Sequence, residues 1–276
     1  MPFATINSKK LFYTDFGPTS TSPSTTLFLH GLGSSSCFYA TIIPSLQETT
    51  RCIAIDYPGS GLSELGDEEL SLDSLARDVI DLLKGLEIQE NINLVGHSMG
   101  GLLASHLAST NPSLFSAIAL LGPVDPAPTL ASVFEKRIET IRSSGSLEVL
   151  ADSIPSAATG SKSSSLHHAF IRSLILGTSQ EGYVALCNLI ASADRPEYGE
   201  IKIPLLMLVG EDDKTSPLAG CEAILRAYGT GGAEEGEMGG REDKRLVVLK
   251  GVGHWHCVED GEGVMRHLKG FLESVS

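Results

Sequence analysis

The chain has 276 residues, 42% of them hydrophobic, and a formal net charge of −14 at pH 7. A chain of this size can bury roughly 75% of the surface its unfolded form exposes, so one large core needs no disulfide or metal staple. The acidic balance repels nucleic acid and anionic membrane surfaces and excludes both as expected partners.

The five cysteines, Cys37, Cys52, Cys187, Cys221 and Cys257, are odd in number and widely spaced, with no C-x-x-C pair. That pattern argues against a disulfide framework or structural zinc and predicts a reducing, cytoplasmic setting. Met1–Phe16 lacks the apolar core of a signal peptide. No apolar run reaches the 18 or so residues that a membrane span needs.

Two short strands are predicted first, Phe3–Ile6 and Lys10–Phe16, joined at Asn7-Ser8. A Pro/Ser/Thr-rich surface turn follows from Pro18 to Thr25. Then strands and helices alternate. Thr26–Leu29 is a strand, Phe38–Gln47 a helix carrying Pro44, and Arg51–Ile55 a strand. Leu72, Leu75, Val79, Leu82, Leu83 and Leu86 recur at helical spacing behind Ser71, a capping residue. Ile92–Val95 is a strand, Gly100–Ser109 a helix of small residues, and Ile118–Leu121 the next strand. Apolar runs of four or five residues between amphipathic helices predict a parallel sheet covered on both faces.

The alternation stops near Gly122. Residues 123–200 predict helices only, at Leu130–Ile141, Leu147–Ala151, Leu166–Leu176 and Gln180–Ala193. Strands resume at Ile203–Val209 and Leu246–Leu249, with a short helix Leu218–Tyr228 between them. Gly229–Arg245, rich in Gly and Glu, is expected to be a surface loop. The expected fold class is therefore α/β, a mostly parallel eight-stranded sheet with an all-helical cap inserted between strands 6 and 7. The domain division is a core of residues 1–122 and 201–276 and a cap of residues 123–200.

Gly96-His97-Ser98-Met99-Gly100 falls between a predicted strand and a predicted helix. G-x-S-x-G in that context marks a sharp turn that projects the serine hydroxyl above the sheet. A serine hydroxyl is a poor nucleophile at neutral pH, so it needs a base to take its proton and an acid to orient that base. With such an elbow the acid and then the histidine follow in chain order. His254, in Gly253-His254-Trp255 after the last strand, is the expected base, and His256 is its rival. His30, His97, His106, His167, His168 and His267 fall on a loop, the elbow, helices or the insertion. The acid should follow the strand Ile203–Val209, where Gly210-Glu211-Asp212-Asp213 stands. Asp213 is favoured, with Asp212 and Asp125 as alternatives. Two backbone N–H groups must stabilise the oxyanion. Those of Met99, after the nucleophile, and Leu32, in His30-Gly31-Leu32-Gly33, are the candidates. His254, His256 and Cys257 lack further metal ligands, so no metal or cofactor is expected.

With these motifs in order, and with Asp56-Tyr57-Pro58-Gly59-Ser60-Gly61-Leu62-Ser63 between the first two, the chain resembles the α/β-hydrolase superfamily over nearly its whole length. In that family the Asp56–Ser63 segment is mainly a structural turn. The stretch from Glu181-Gly182-Tyr183-Val184-Ala185 to Asp194, with Ile203-Pro204-Leu205, resembles 3-oxoadipate enol-lactonases and related lactone or ester hydrolases. The resemblance implies hydrolysis of a carboxylic ester or lactone through an acyl-enzyme on Ser98. Two other activities on this architecture are a slow ligand hydrolase-receptor of the strigolactone or karrikin type and a C–C bond hydrolase or thioesterase. Dehalogenase relatives carry Asp where Ser98 stands, which argues against that chemistry. The insertion has no Arg or Lys cluster, so the expected partner is a small, mainly apolar, uncharged substrate. A monomer and a homodimer both fit the sequence.

Overall fold

A computed structural model describes residues 2–18, 24–230 and 243–275. Its strands are β1 (Phe3–Ile6), β2 (Lys9–Phe16), β3 (Thr25–Leu29), β4 (Arg51–Ile55), β5 (Ile92–His97), β6 (Phe115–Leu121), β7 (Leu205–Gly210) and β8 (Lys244–Leu249). They form one sheet in the order β1-β2-β4-β3-β5-β6-β7-β8. β1 and β2 pair antiparallel, as do β2 and β4, and every later pairing is parallel. The α/β sheet expected from the sequence is therefore present.

The helices are α1 (Ile43–Leu46), α2 (Leu72–Gly85), α3 (Met99–Thr110), α4 (Pro128–Ser144), α5 (Glu148–Ala158), α6 (Ser165–Leu176), α7 (Gln180–Ser192), α8 (Leu218–Ala227), α9 (His256–Glu259) and α10 (Gly261–Val275). β3, β5 and β7 are buried at every residue, as parallel strands covered on both faces must be. α3 lies against β5 and β6 with α2 packed on it, while α10 contacts β6 and β7 with α1 packed on it. Among the described residues, no helix is long and apolar enough to cross a membrane.

Local chemistry accounts for the element ends. Ser71 accepts the Ser74 N–H, and Ser74 Oγ in return accepts the Ser71 N–H, a reciprocal box that starts α2. Lys9, on β2, is buried and places its ammonium 2.9 Å from Asp78 of α2 and 3.1 Å from Glu68. A buried ammonium is tolerated because it is paired, and the pair ties the first hairpin to α2.

Three sequence expectations need correction. The helix predicted at Phe38–Gln47 is split into a 3₁₀ turn, Ser36–Tyr39, and the single turn α1. Pro44 has no N–H to continue a preceding helix and sits instead in the first turn of α1, where none is required. The helix predicted at Leu147–Ala151 runs on to Ala158 through the buried Pro155, so packing overrides the local penalty. Lys244 and Arg245, assigned to the Gly/Glu-rich loop, begin β8. The loop's residues 231–242 and the turn residues 19–23 lie outside the described residues.

α4 to α7 all fall between β6 and β7 in the chain. α4 packs on α7 and α5 on α6. Among the described residues this segment meets several of the sheet's loops. The Ser179 N–H donates to the Gly59 carbonyl at 2.9 Å. A Cβ on Gly33 would lie 2.8 Å from the Tyr183 ring, so α7 presses directly on the loop after β3. The α5–α6 connection lies against the loop after β8, where the Lys162 N–H donates to the Gly251 carbonyl at 2.9 Å.

Candidate active site

Ser98 stands between β5 and α3 with φ 54° and ψ −117°. A left-handed φ in a non-glycine residue costs on the order of 1–3 kcal/mol and persists only where its surroundings enforce it. Two flanking glycines allow the turn. A Cβ on Gly96 would strike the Gly100 carbonyl, and one on Gly100 would strike the Leu29 carbonyl of β3. The Ser98 N–H donates to the Leu121 carbonyl at 3.0 Å, and its carbonyl accepts from Gly101 N–H at 2.9 Å.

The three residues singled out from the sequence meet here, although they come from three separate loops. His254 Nε2 lies 2.9 Å from Ser98 Oγ. His254 Nδ1 lies 2.9 Å from Asp213 Oδ2. Asp213 Oδ1 accepts the N–H groups of Thr215 and Ser216, each at 2.8 Å. All three side chains are buried. Burial alone would raise the Asp213 pKa. The charge and hydrogen bond of His254, with smaller help from His256 and the Ser216 N–H, outweigh burial and hold the carboxyl below its usual range.

Gly31 brings the loop after β3 against Ser98, since a Cβ there would lie 3.0 Å from Ser98 Cβ. Leu32, next in that loop, is half-buried. Met99 is the first residue of α3, and its N–H is among those at the helix start with no acceptor inside the helix. The Asp56–Ser63 turn is held by Asp56, which accepts Ser36 N–H at 2.6 Å and Leu62 N–H at 3.0 Å.

The rival residues lie elsewhere. Asp125 forms a bidentate pair with Arg195, at 2.9 Å, and accepts the Tyr198 hydroxyl at 3.1 Å. That pair joins the chain leaving β6 to the chain returning towards β7. Asp212 accepts the Ser161 N–H at 2.9 Å. His106 pairs with Asp73, and His168 bonds Thr159 and Ser163. His30 donates from Nδ1 to the Gly31 carbonyl and accepts the Tyr57 N–H at Nε2.

His256 and His97 have a supporting place that sequence reasoning did not anticipate. His256 Nδ1 and His97 Nε2 each lie 2.8 Å from the His254 carbonyl. A carbonyl only accepts, so both nitrogens carry the hydrogen. The second nitrogens, His256 Nε2 and His97 Nδ1, find no hydrogen-bond partner among the described residues. His256 Nε2 faces Asp213 Oδ2 at 4.0 Å. The linear sequence carries no signal for these bonds, because a backbone carbonyl is available at every residue.

Burial pushes the His256 pKa from 6.5 down to about 4, against the opposing pull of Asp213. His97 is lowered in the same direction, again chiefly by burial. As pH falls below 6.5, the unfolded His256 takes up a proton while the folded one stays neutral until about 4. The unfolded state then binds more protons, so stability falls across that window, by about 3 kcal/mol from this group alone. Urea unfolding at pH 7, 6, 5 and 4 should show a shallower loss in His256→Gln than in the parent. Equal slopes would assign the dependence to other groups.

The sequence profile described as alpha/beta hydrolase fold matches residues 26–260. The enol-lactonase of Burkholderia xenovorans LB400 superposes with a TM-score of 0.85 at 25% identity, covering 99% of this chain and 100% of that one. A thermophilic esterase from Thermogutta terrifontis superposes at 0.84 with 22% identity, covering 99% and 98%. A cis-3-alkyl-4-alkyloxetan-2-one decarboxylase of Shewanella oneidensis is 30% identical over 122 residues, 43% of this chain and 37% of that protein. The chain spans between about a quarter and a half of the length of the curated relatives it matches.

Proposed function

The chain belongs to the alpha/beta hydrolase fold family, and from that premise and the site geometry we propose that it is a serine hydrolase of small, mainly apolar carboxylic esters or lactones. The observation that carries this reading is the continuous relay from Ser98 Oγ through His254 to Asp213, with both hydrogen bonds at 2.9 Å. The enol-lactonase and esterase similarities support the choice of ester or lactone carbonyl as the target.

In the proposed reaction His254 Nε2 accepts the Ser98 proton as Oγ attacks the carbonyl carbon. Asp213 holds the Nδ1 hydrogen and stabilises the imidazolium that forms. The carbonyl oxygen takes the electron pair and is met by the Leu32 and Met99 N–H groups, the latter at the positive end of α3. Collapse of the tetrahedral intermediate expels the alkoxide, which takes its proton from His254. Water then repeats the sequence against the acyl-serine and releases the acid.

Residues 123–200 act in this reading as the cap that shapes the pocket, over a core of 1–122 and 201–276. Support comes from α7, whose Tyr183 abuts Gly33 of the oxyanion loop, and from α6, whose Ile175 lies 3.3 Å from a Cβ built there. Both side chains are buried and would present largely apolar surface to an acyl group.

A panel of p-nitrophenyl acetate, butyrate and octanoate, small lactones, and monoesters of dicarboxylic acids tests the reading. Turnover of the short uncharged esters or lactones is expected, with the charged monoesters poorer. A strong preference for the charged monoesters, or no turnover of any ester or lactone, would overturn it.

A further inference from the structure

Glu259 lies five residues beyond His254 at the end of α9, and its side chain is buried. Its two carboxyl oxygens take three backbone N–H groups. Oε1 accepts from Trp255 at 2.9 Å, and Oε2 accepts from Gly253 at 2.9 Å and from Gly160 at 2.6 Å. Gly253 and Trp255 are the chain neighbours of His254 on either side. Gly160 belongs to the α5–α6 connection, 99 positions away in the chain. The His254 N–H between them donates at 2.7 Å to the carbonyl of Ala158, the last residue of α5 before that connection.

Three consecutive N–H groups of the base loop are thus committed, the outer two to Glu259 and the middle one to Ala158. The fit is close on both sides. A Cβ on Gly253 would lie 2.6 Å from the Gly160 nitrogen, and one on Gly160 would lie 2.5 Å from the Gly251 oxygen. Ser161 N–H to Asp212, and Lys162 Nζ to Asp260 at 2.7 Å, add polar ties along the same seam. With three backbone N–H groups on one carboxyl group, Glu259 makes more bonds along this seam than Asp212, Asp260 or the Ala158 carbonyl.

We propose that Glu259 is a positioning residue for the base: it sets where His254 stands and couples that position to the α5–α6 connection. The inference rests on the reading of Ser98, His254 and Asp213 given above. The hydrogen bonds of Glu259 go to backbone N–H groups, two of them flanking His254, and it acts through that backbone. Its effect on rate follows from reach. The imidazole spans Ser98 and Asp213 with both contacts at 2.9 Å, and a misplacement of about 1 Å costs about 10²-fold in rate.

Glu259→Gln removes the charge and turns one acceptor into a donor, so at least one N–H of the trio loses its partner. Glu259→Asp keeps the charge but is one methylene shorter, and serves as the second variant should the first not fold. Each is compared with the parent by thermal unfolding, by kcat and KM for p-nitrophenyl acetate, and by the rate of Ser98 phosphonylation with a fluorophosphonate probe. Rates are normalised to folded protein.

The expected result is a fall of about 10- to 100-fold in both kcat and phosphonylation rate, with KM changed little and a smaller loss in Glu259→Asp. Folded variants with parental kcat and phosphonylation rate, whatever their melting temperature, would overturn the proposal and leave the serine-hydrolase reading intact. A parent protein that neither turns over esters nor reacts with the probe would overturn both.

Discussion

Ser98→Ala is expected to reduce kcat for p-nitrophenyl acetate by about 10⁶-fold while leaving the fold unchanged. The loss is that large because the hydroxyl is the only atom removed that bonds to the substrate. His254 then has no proton to take, and the remaining oxyanion donors supply only a residual acceleration of about 10³–10⁴ over water. The alanine keeps Cβ and therefore the strained turn at φ 54°. Ser98→Gly separates activity from stability at the same position. It should be equally inactive, yet about 1 kcal/mol more stable than Ser98→Ala, because glycine adopts this φ without the Cβ penalty. Kinetics measured alongside urea unfolding of both variants check the two parts together. Ser98→Ala retaining more than a hundredth of the parental kcat would remove Ser98 from the nucleophile's role. A glycine variant less stable than the alanine would show that the turn is not strained as its dihedrals imply.

The parts of the fold legible in the sequence are those whose signal is local. Helix α2 is one, because Ser71 caps it and its leucines and Val79 recur on one face. The central strands are another, since each is a short apolar run buried on both sides. Where long-range packing decides, the reading failed. Residues 38–47 look like one helix by composition, but they turn twice to pass Phe38 and Tyr39 into the core. The helix read at Leu147–Ala151 continues as α5 through Pro155, which is buried among the helices between β6 and β7. The same division holds at the candidate site. Ser98, Asp213 and His254 sit in short motifs at strand ends, where the backbone turn itself demands glycine and leaves a sequence mark. The groups that bond the backbone around His254 do not. His97 reaches the His254 carbonyl across 157 positions, and Gly160 reaches Glu259 across 99. Bonds to backbone atoms constrain one partner's side chain and leave the other's identity free, so they become visible only in three dimensions.

Asp213→Asn is expected to lower kcat/KM by about 10⁴-fold with little change in the backbone around it. The amide oxygen can still accept the Thr215 and Ser216 N–H groups that Oδ1 accepts in the parent, at 2.8 Å. The amide NH₂ then faces His254 Nδ1 in place of Oδ2. Two donors cannot share that 2.9 Å contact, so the imidazole adopts the other tautomer, with its hydrogen on Nε2. Nε2 points at Ser98 Oγ. Carrying a hydrogen, it can no longer accept one, and the nucleophile loses its base although every heavy atom remains near its place. Asp125→Asn and Asp212→Asn are the controls, because both carboxylates contact the seams of the helical insertion rather than His254. Each should stay within several-fold of the parent. Measured across pH 6–9, a profile in which Asp213→Asn loses less than tenfold, or in which either control loses more than Asp213→Asn, would move the acid's role to a different carboxylate.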